Sequence, residues 1–123
     1  MQQTPDSTSH WWVICLCADW CGVCREWRDA FTATAATFPQ VRFAWVDVED
    51  EADAMGEVDI ETFPTVLIAL DDRPLFLGPV LPSGAGLSRL ISSLRENPSA
   101  SPGVPSEAES LLRRLAPTLI TSP

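Results

Sequence analysis

The stretch WWVICLCADWCGVC, residues 11–24, decides how the chain folds. Residues 11–18 form a continuous apolar run that starts with β-formers, which is the pattern of a strand buried on both faces. From the second half of the stretch to Pro39, apolar side chains recur at helical spacing, along the stripe Val23, Trp27, Ala30, Phe31, Thr34 and Phe38. The stretch therefore predicts a buried strand followed by an amphipathic helix of about four turns.

The elements downstream extend this start into an α/β pattern. Residues 43–48 predict a second strand, and the helix between the two strands predicts a right-handed βαβ unit with parallel strands. Residues 49–56 have room for one or two helical turns, and residues 66–77 are centred on turn formers and predict a hairpin. A last amphipathic helix is predicted from the i, i+3, i+4, i+7 spacing of Leu87, Leu90, Ile91 and Leu94, ending at Asn97-Pro98.

Composition divides the chain into four parts. Residues 1–10 are polar and predict a flexible lead, residues 11–96 form the folded domain, and residues 97–106 are a linker rich in Pro and Ser. Residues 107–123 are a C-terminal tail in which a helix over 107–116 would align Leu111, Leu112 and Leu115 on one side. A helix of about ten residues is marginal alone, so both docking and disorder remain open for it.

Charge and apolar content narrow the class of protein. The chain has 17 acidic and 8 basic residues, a net charge of −9 and no basic cluster, so the electrostatics of nucleic-acid binding are missing. The apolar run at 11–18 is much shorter than the roughly 20 residues that cross a bilayer. Residues 1–10 lack the cationic and apolar segments of an export signal. We therefore expect a cytoplasmic protein without nucleic-acid or membrane partners; its oligomeric state stays open.

All four cysteines fall within ten positions, which indicates a local redox or metal site rather than a disulfide scaffold. Cys21 is predicted at the helix N-terminus, where free N–H groups and the macrodipole favour a thiolate, so it is the expected nucleophile. Cys24 faces the same side three residues later and is the expected resolving thiol. Gly22 allows a substrate backbone to approach, and Arg25 adds positive charge beside the thiolate.

Cys15 and Cys17 alternate with Leu16 and therefore point to the same face of the strand. Their ordinary role is that of small buried hydrophobes. Two other roles remain open: ligands, with Cys21 and Cys24, of a four-cysteine metal site, or a second redox partner for Cys24. A bond between the two is disfavoured, because their Cα atoms would lie about 6.6 Å apart on the strand.

The segment Trp20-Cys21-Gly22-Val23-Cys24 behind a buried strand, with Phe63-Pro64-Thr65 ahead of a hairpin, resembles the thioredoxin family over about residues 11–96. The resemblance implies a minimal thioredoxin-like β-α-β-α-β-β-α fold, a central mixed sheet flanked by helices. It also implies a thiol–disulfide oxidoreductase that exchanges disulfides with protein substrates through Cys21 and Cys24, without a cofactor or metal. A separate reductant or oxidant would reset the pair.

The resemblance also implies roles around the pair. Pro64 would be cis and face the cysteines, and Phe63 would offer backbone hydrogen bonds to an extended substrate, whereas an arbitrary X–Pro bond is usually trans. Trp20 would be an exposed contact for substrates rather than core. The complete predicted substrate-binding set is Trp20, Gly22, Val23, Phe63, Pro64 and Gly78.

Four departures from the family are visible. We expect residues 1–10 to leave no room for the strand and helix that usually precede the first strand. Cys15 stands where many members have a buried carboxylate, Trp45 replaces its lysine partner, and Val23 replaces the usual proline. These departures favour a dedicated partner over general reduction. The missing carboxylate and the extra tail leave open a binding or chaperone-like module without turnover. The clustered cysteines leave open a Cys-ligated zinc or iron–sulfur protein.

Overall fold

A computed structural model of the protein describes residues 10–18, 21–56, 58, 60, 62–71, 73–98, 104 and 107–121, with side chains as far as residue 115. Within these residues the elements follow the order β1 (Trp11–Cys17), α1 (Gly22–Ala36), β2 (Val41–Asp47), α2 (Ala52–Met55), β3 (Thr65–Leu70), β4 (Arg73–Pro79), α3 (Gly84–Glu96) and α4 (Glu107–Thr121). The predicted α/β fold class, with a mixed sheet between helices, is confirmed.

β1 lies inside a four-stranded sheet of order β2-β1-β3-β4. It pairs with β2 in parallel and with β3 in antiparallel orientation, so the predicted parallel pair joined by a helix is present. β3 and β4 form an antiparallel hairpin over 65–79, slightly longer than the predicted 66–77, with a register irregularity between Ile68 and Ala69. β4 is an outer strand and includes two prolines, Pro74 and Pro79.

Alternate residues of β1 enter two separate cores, which is why the whole strand is apolar. One side of the sheet, which we call the cysteine face, carries Val13, Cys15 and Cys17 and packs against α1 and α3. The other side, which we call the tail face, carries Ile14 and Leu16 and packs against α4. Helices on both sides exclude water from β1, and its residues 13–17 are all buried.

α1 presents a slightly different stripe from the one predicted. Its buried residues are Cys24, Trp27, Phe31 and Thr34, whereas Val23 is 44% exposed. Val23 and Cys24 are adjacent at the border of the apolar stripe. Packing of α1 against the sheet buries Cys24 and leaves Val23 exposed. The Phe31 ring then meets the Trp45 ring edge to face, with 5.6 Å between centroids.

The C-terminal tail forms α4, which is longer than the predicted helix over 107–116. Leu111, Leu112 and Leu115 are buried against the tail face, so the predicted stripe is confirmed and the helix docks. Arg114 donates hydrogen bonds to the carbonyls of Ala54 and Met55, at 2.6 and 3.1 Å, and thereby satisfies the last carbonyls of α2.

The predicted lead and linker lie mostly outside the described residues. At the end of the lead, the His10 N–H donates to a carboxylate oxygen of Asp71 at 2.8 Å, and the Asp71 N–H donates to the His10 carbonyl at 2.7 Å. These bonds join the start of β1 to the hairpin turn. The domain boundaries stay predictions. No helix in the described ranges is long and apolar enough to span a bilayer.

Candidate redox site

The strand-to-helix junction carries three of the four cysteines, as the sequence predicts. Cys17 ends β1, Cys21 is the N-cap of α1, and Cys24 lies in the first turn of that helix. The Cys21 N–H donates to the Ala18 carbonyl at 3.0 Å, and the Arg25 N–H donates to the Cys21 carbonyl at 3.2 Å. Cys21 is partly exposed and its thiol is free. The N-terminal end of α1 therefore presents an accessible sulfur.

Cys24 is bonded to Cys17, not to Cys21. Their Cα atoms lie 5.9 Å apart, and the two side chains are 1% and 0% exposed. The physical reason is that the buried stripe of α1 directs Cys24 towards the cysteine face, where the side chain of Cys17 also points. The expectation that Cys17 acts only as a small hydrophobe is therefore wrong, and the alternative of a second partner for Cys24 describes this structure.

Cys15 remains a free, fully buried thiol on the same face of β1. The Trp27 indole Nε1–H donates to its sulfur at 3.4 Å, and its own S–H contacts the Cys17 sulfur at 3.8 Å. Burial raises the pKa of the Cys15 thiol to about 12, although the Trp27 hydrogen bond and the charge of Arg28 act in the opposite direction. Cys15 is thus a protonated small hydrophobe at neutral pH, as expected.

Pro64 lies at the same end of the sheet, and the Phe63-Pro64 peptide bond is cis, as the resemblance implies. The β1–β3 ladder ends with Leu16 opposite Thr65. Cys17 follows Leu16 and Pro64 precedes Thr65, so both residues lie at this end of the ladder. The Pro64 carbonyl accepts from the Val80 N–H at 3.0 Å. Phe63 and Cys21 are both half-buried against the cysteine-face core. The cis-proline therefore borders the disulfide-bonded end of β1.

Small and apolar groups surround the partly exposed Cys21. Gly22 is exposed, and a Cβ placed on it would lie 3.9 Å from the Arg25 guanidinium, so that cation lies over the N-terminal turn of α1. Val23 is exposed as well. Trp20, the remaining predicted contact next to the pair, lies outside the described residues.

Gly78 and Leu81 lie near the end of β4 and just beyond it. Gly78, which follows the predicted hairpin of residues 66–77, lies within β4 opposite Val66. Leu81, which the sequence reasoning missed, is 81% exposed one residue beyond the Val80 N–H that bonds Pro64. A single leucine between Pro79 and Pro82 carries no pattern from which its exposure could be predicted.

The described part of the chain, which includes all four cysteines, contains no ligand set for a metal ion. No three His, Cys, Asp or Glu side chains there form a group that could hold a metal ion. Two of the four candidate sulfurs are bonded to each other. The four-cysteine metal alternative is therefore unsupported by this geometry.

Known proteins resemble the chain in both sequence and structure. The family model described as Thioredoxin matches residues 3–76. A thioredoxin H-type of Picea mariana is 36% identical over 56 residues, which are 46% of this chain and 45% of that protein. The chain thus matches less than half the length of this curated relative.

Solved structures agree over a longer part of the chain. Thioredoxin of Fasciola hepatica superposes with a TM-score of 0.62 at 26% identity, covering 68% of this chain and 80% of that one. Oxidised mitochondrial thioredoxin 3 of Saccharomyces cerevisiae gives a TM-score of 0.62 at 25% identity, covering 72% and 83%. The family match spans more than half of the chain, and the cysteines and cis-proline meet at one end of the sheet: the chain belongs to the thioredoxin family.

Proposed function

We propose that the protein is a thiol–disulfide oxidoreductase that exchanges disulfides with protein substrates, with Cys21 as nucleophile and Cys24 as resolving thiol. The observation that carries this proposal is the placement of Cys21, a free and partly exposed thiol at the N-cap of α1. A thiol that attacks a substrate disulfide must be accessible, and Cys21 is partly exposed whereas the other free thiol, Cys15, is buried. Cys24 follows one turn later and already takes part in a disulfide.

The exchange starts from the reduced protein, in which a dithiol reductant has opened the Cys17–Cys24 disulfide, and it proceeds in two balanced steps. The Cys21 thiolate attacks one sulfur of a substrate disulfide, and the other substrate sulfur leaves as a thiolate. The Cys24 thiolate then attacks the Cys21 sulfur and releases the substrate as a dithiol, leaving a Cys21–Cys24 disulfide. A separate dithiol reductant then reduces the Cys21–Cys24 disulfide and is itself oxidised to a disulfide. Run backwards, the same steps oxidise a substrate.

The surroundings of Cys21 suit an extended peptide with apolar side chains. Gly22 leaves space for its backbone, and the exposed side chains of Val23 and Leu81 offer apolar contacts. As in the thioredoxin family, the backbone of Phe63 beside cis-Pro64 would supply hydrogen bonds to the peptide backbone, and Trp20 would be a further contact.

The residues beneath the pair favour a dedicated partner. Cys15 and Trp45, which replace the family's carboxylate and lysine, are register partners on β1 and β2. Neither group carries a charge at neutral pH, because burial raises the pKa of the Cys15 thiol to about 12. These two positions therefore supply no carboxylate for the proton transfer that the family's buried carboxylate assists. We propose the cytoplasm, where thiols are kept reduced, as the compartment.

Insulin reduction in the presence of dithiothreitol tests the proposal. Cys21→Ser should lower the rate to that of dithiothreitol alone, because the attacking sulfur is gone. Cys24→Ser should instead accumulate a mixed disulfide between Cys21 and its substrate, visible on a non-reducing gel. Cys15→Ala is the matched control and should keep the wild-type rate. A fully active Cys21→Ser variant would refute the proposed mechanism, and wild-type binding of insulin without turnover would favour a binding module.

A further inference from the structure

Cys24 has two candidate sulfur partners on different elements. Cys21 precedes it by three residues at the start of α1, while Cys17 comes from the end of β1 and is bonded to it. One disulfide can therefore occupy either of two positions that share Cys24. The bonded position is buried, and the other position ends at the partly exposed Cys21.

We propose that Cys17 is a third redox cysteine, which takes over the disulfide from Cys21 after each exchange. This inference rests on the proposed function, since substrate exchange is what forms the Cys21–Cys24 bond. The Cys17 thiolate attacks the Cys24 sulfur, the Cys17–Cys24 bond forms, the Cys21–Cys24 bond breaks, and Cys21 leaves as a thiolate. One thiolate attacks and one thiolate leaves, so the step transfers neither net electrons nor net protons.

The neighbouring thiol shows why Cys17, and not Cys15, is the partner. Both face the same core, and the Cys15 S–H contacts the Cys17 sulfur at 3.8 Å. Cys15 lies two residues further from the end of β1, beneath the Trp27 indole that donates to it.

The transfer reverses what the oxidised protein presents to its surroundings. A two-cysteine site shows a surface disulfide and no reactive thiol after it has oxidised. Here the oxidised protein would hold its disulfide in the core and present a free Cys21 at the helix N-terminus. A reductant would reach that disulfide only after Cys21 has attacked Cys24 and returned it to the surface.

Disulfide mapping of the full-length protein tests the transfer directly. The reduced protein is treated with one equivalent of diamide, which forms one disulfide per chain, and then with iodoacetamide under native conditions. Peptide mass spectrometry should find Cys17 joined to Cys24 and Cys21 alkylated in the wild type. In Cys17→Ala the disulfide should join Cys21 to Cys24, and Cys21 should escape alkylation.

Cys15→Ala is the matched control, because it removes a sulfur from the same face of the same strand. It should give the wild-type map and the wild-type labelling of Cys21. A wild-type map with Cys21 joined to Cys24, or continued alkylation of Cys21 in oxidised Cys17→Ala, would overturn the inference. The wild-type map needs no variant, so it decides the question even if Cys17→Ala fails to fold.

The insulin assay separates this inference from the proposed function. If Cys21→Ser is inactive but the wild-type map shows Cys21 joined to Cys24, the exchange stands and the transfer to Cys17 falls. If Cys21→Ser is active, the proposed function falls, and the inference falls with it. A second readout supports the transfer: oxidised Cys17→Ala should be reduced faster by dithiothreitol than the oxidised wild type.

Discussion

Raising the pH above 9 should destabilise the protein through one buried thiol. Burial raises the pKa of Cys15 from 9.0 to about 12 in the folded chain. The unfolded chain therefore loses this proton at lower pH than the folded chain does. The contribution to stability is fully present below pH 9 and is lost as the pH rises towards 12.

The background for this measurement is unusually simple. The eight basic residues of the chain are all arginines, and it contains no tyrosine. Arginine stays protonated far above this range, and the α-amino group titrates near pH 8. When Cys21 is alkylated and Cys17 is joined to Cys24, Cys15 is the remaining thiol. The free energy of unfolding should then fall by about 1.4 kcal/mol per pH unit, or about 2–3 kcal/mol between pH 9 and pH 11.

Urea unfolding at pH 8, 9.5 and 11 gives this slope. The alkylated wild type and alkylated Cys15→Ala are compared, with a peptide map after each experiment to show that the disulfide has not exchanged. The wild type should lose stability with pH, while the variant should stay nearly constant. Parallel curves for the two proteins would show that Cys15 is not the group responsible, and the reasoning from its burial would be wrong.

Two substitutions test the packing of the tail. Gly56→Ala should lower the free energy of unfolding by about 1–3 kcal/mol, because φ at Gly56 is +60° and an added Cβ would lie 2.9 Å from the Arg114 guanidinium. Urea unfolding measures this loss. The control is Gly86→Ala, which should not destabilise the protein because the added Cβ meets only ordinary contacts. Leu111→Ala should cost about 2–5 kcal/mol in the same assay, because the side chain is fully buried against the tail face, whereas the exposed Arg113→Ala should cost less than about 0.5 kcal/mol. Equal losses for Leu111 and Arg113 would contradict the docking of α4.

Local sequence patterns predicted most of the fold, because local spacing determined it. The apolar run at 11–18 and the helical stripe after it fixed β1 and α1, and the leucines of the tail marked the buried side of α4. The pairing of Cys21 with Cys24 rests on the same kind of spacing and stays a prediction. The cis bond before Pro64 came from the family resemblance, as backbone preferences alone favour trans.

The partner of Cys24 depended on tertiary packing and could not be predicted uniquely. A small rotation of α1 about its axis decides whether Cys24 or Val23 faces the sheet. The apolar spacing in the sequence fits both rotations about equally well. Only when Trp27 and Phe31 are seated against the cysteine face does Cys24 come within bonding distance of Cys17. The exposure of Leu81 likewise depends on where the chain leaves β4.

The prolines of β4 bear on how this protein meets other chains. Pro74 and Pro79 lack the N–H that an added strand would need, so the outer edge of the sheet is poorly suited to pairing with an incoming strand. Such blunting protects against edge-to-edge aggregation and domain swapping. For the proposed exchange with extended polypeptides, it also discourages a nonproductive docking mode along β4, away from Cys21.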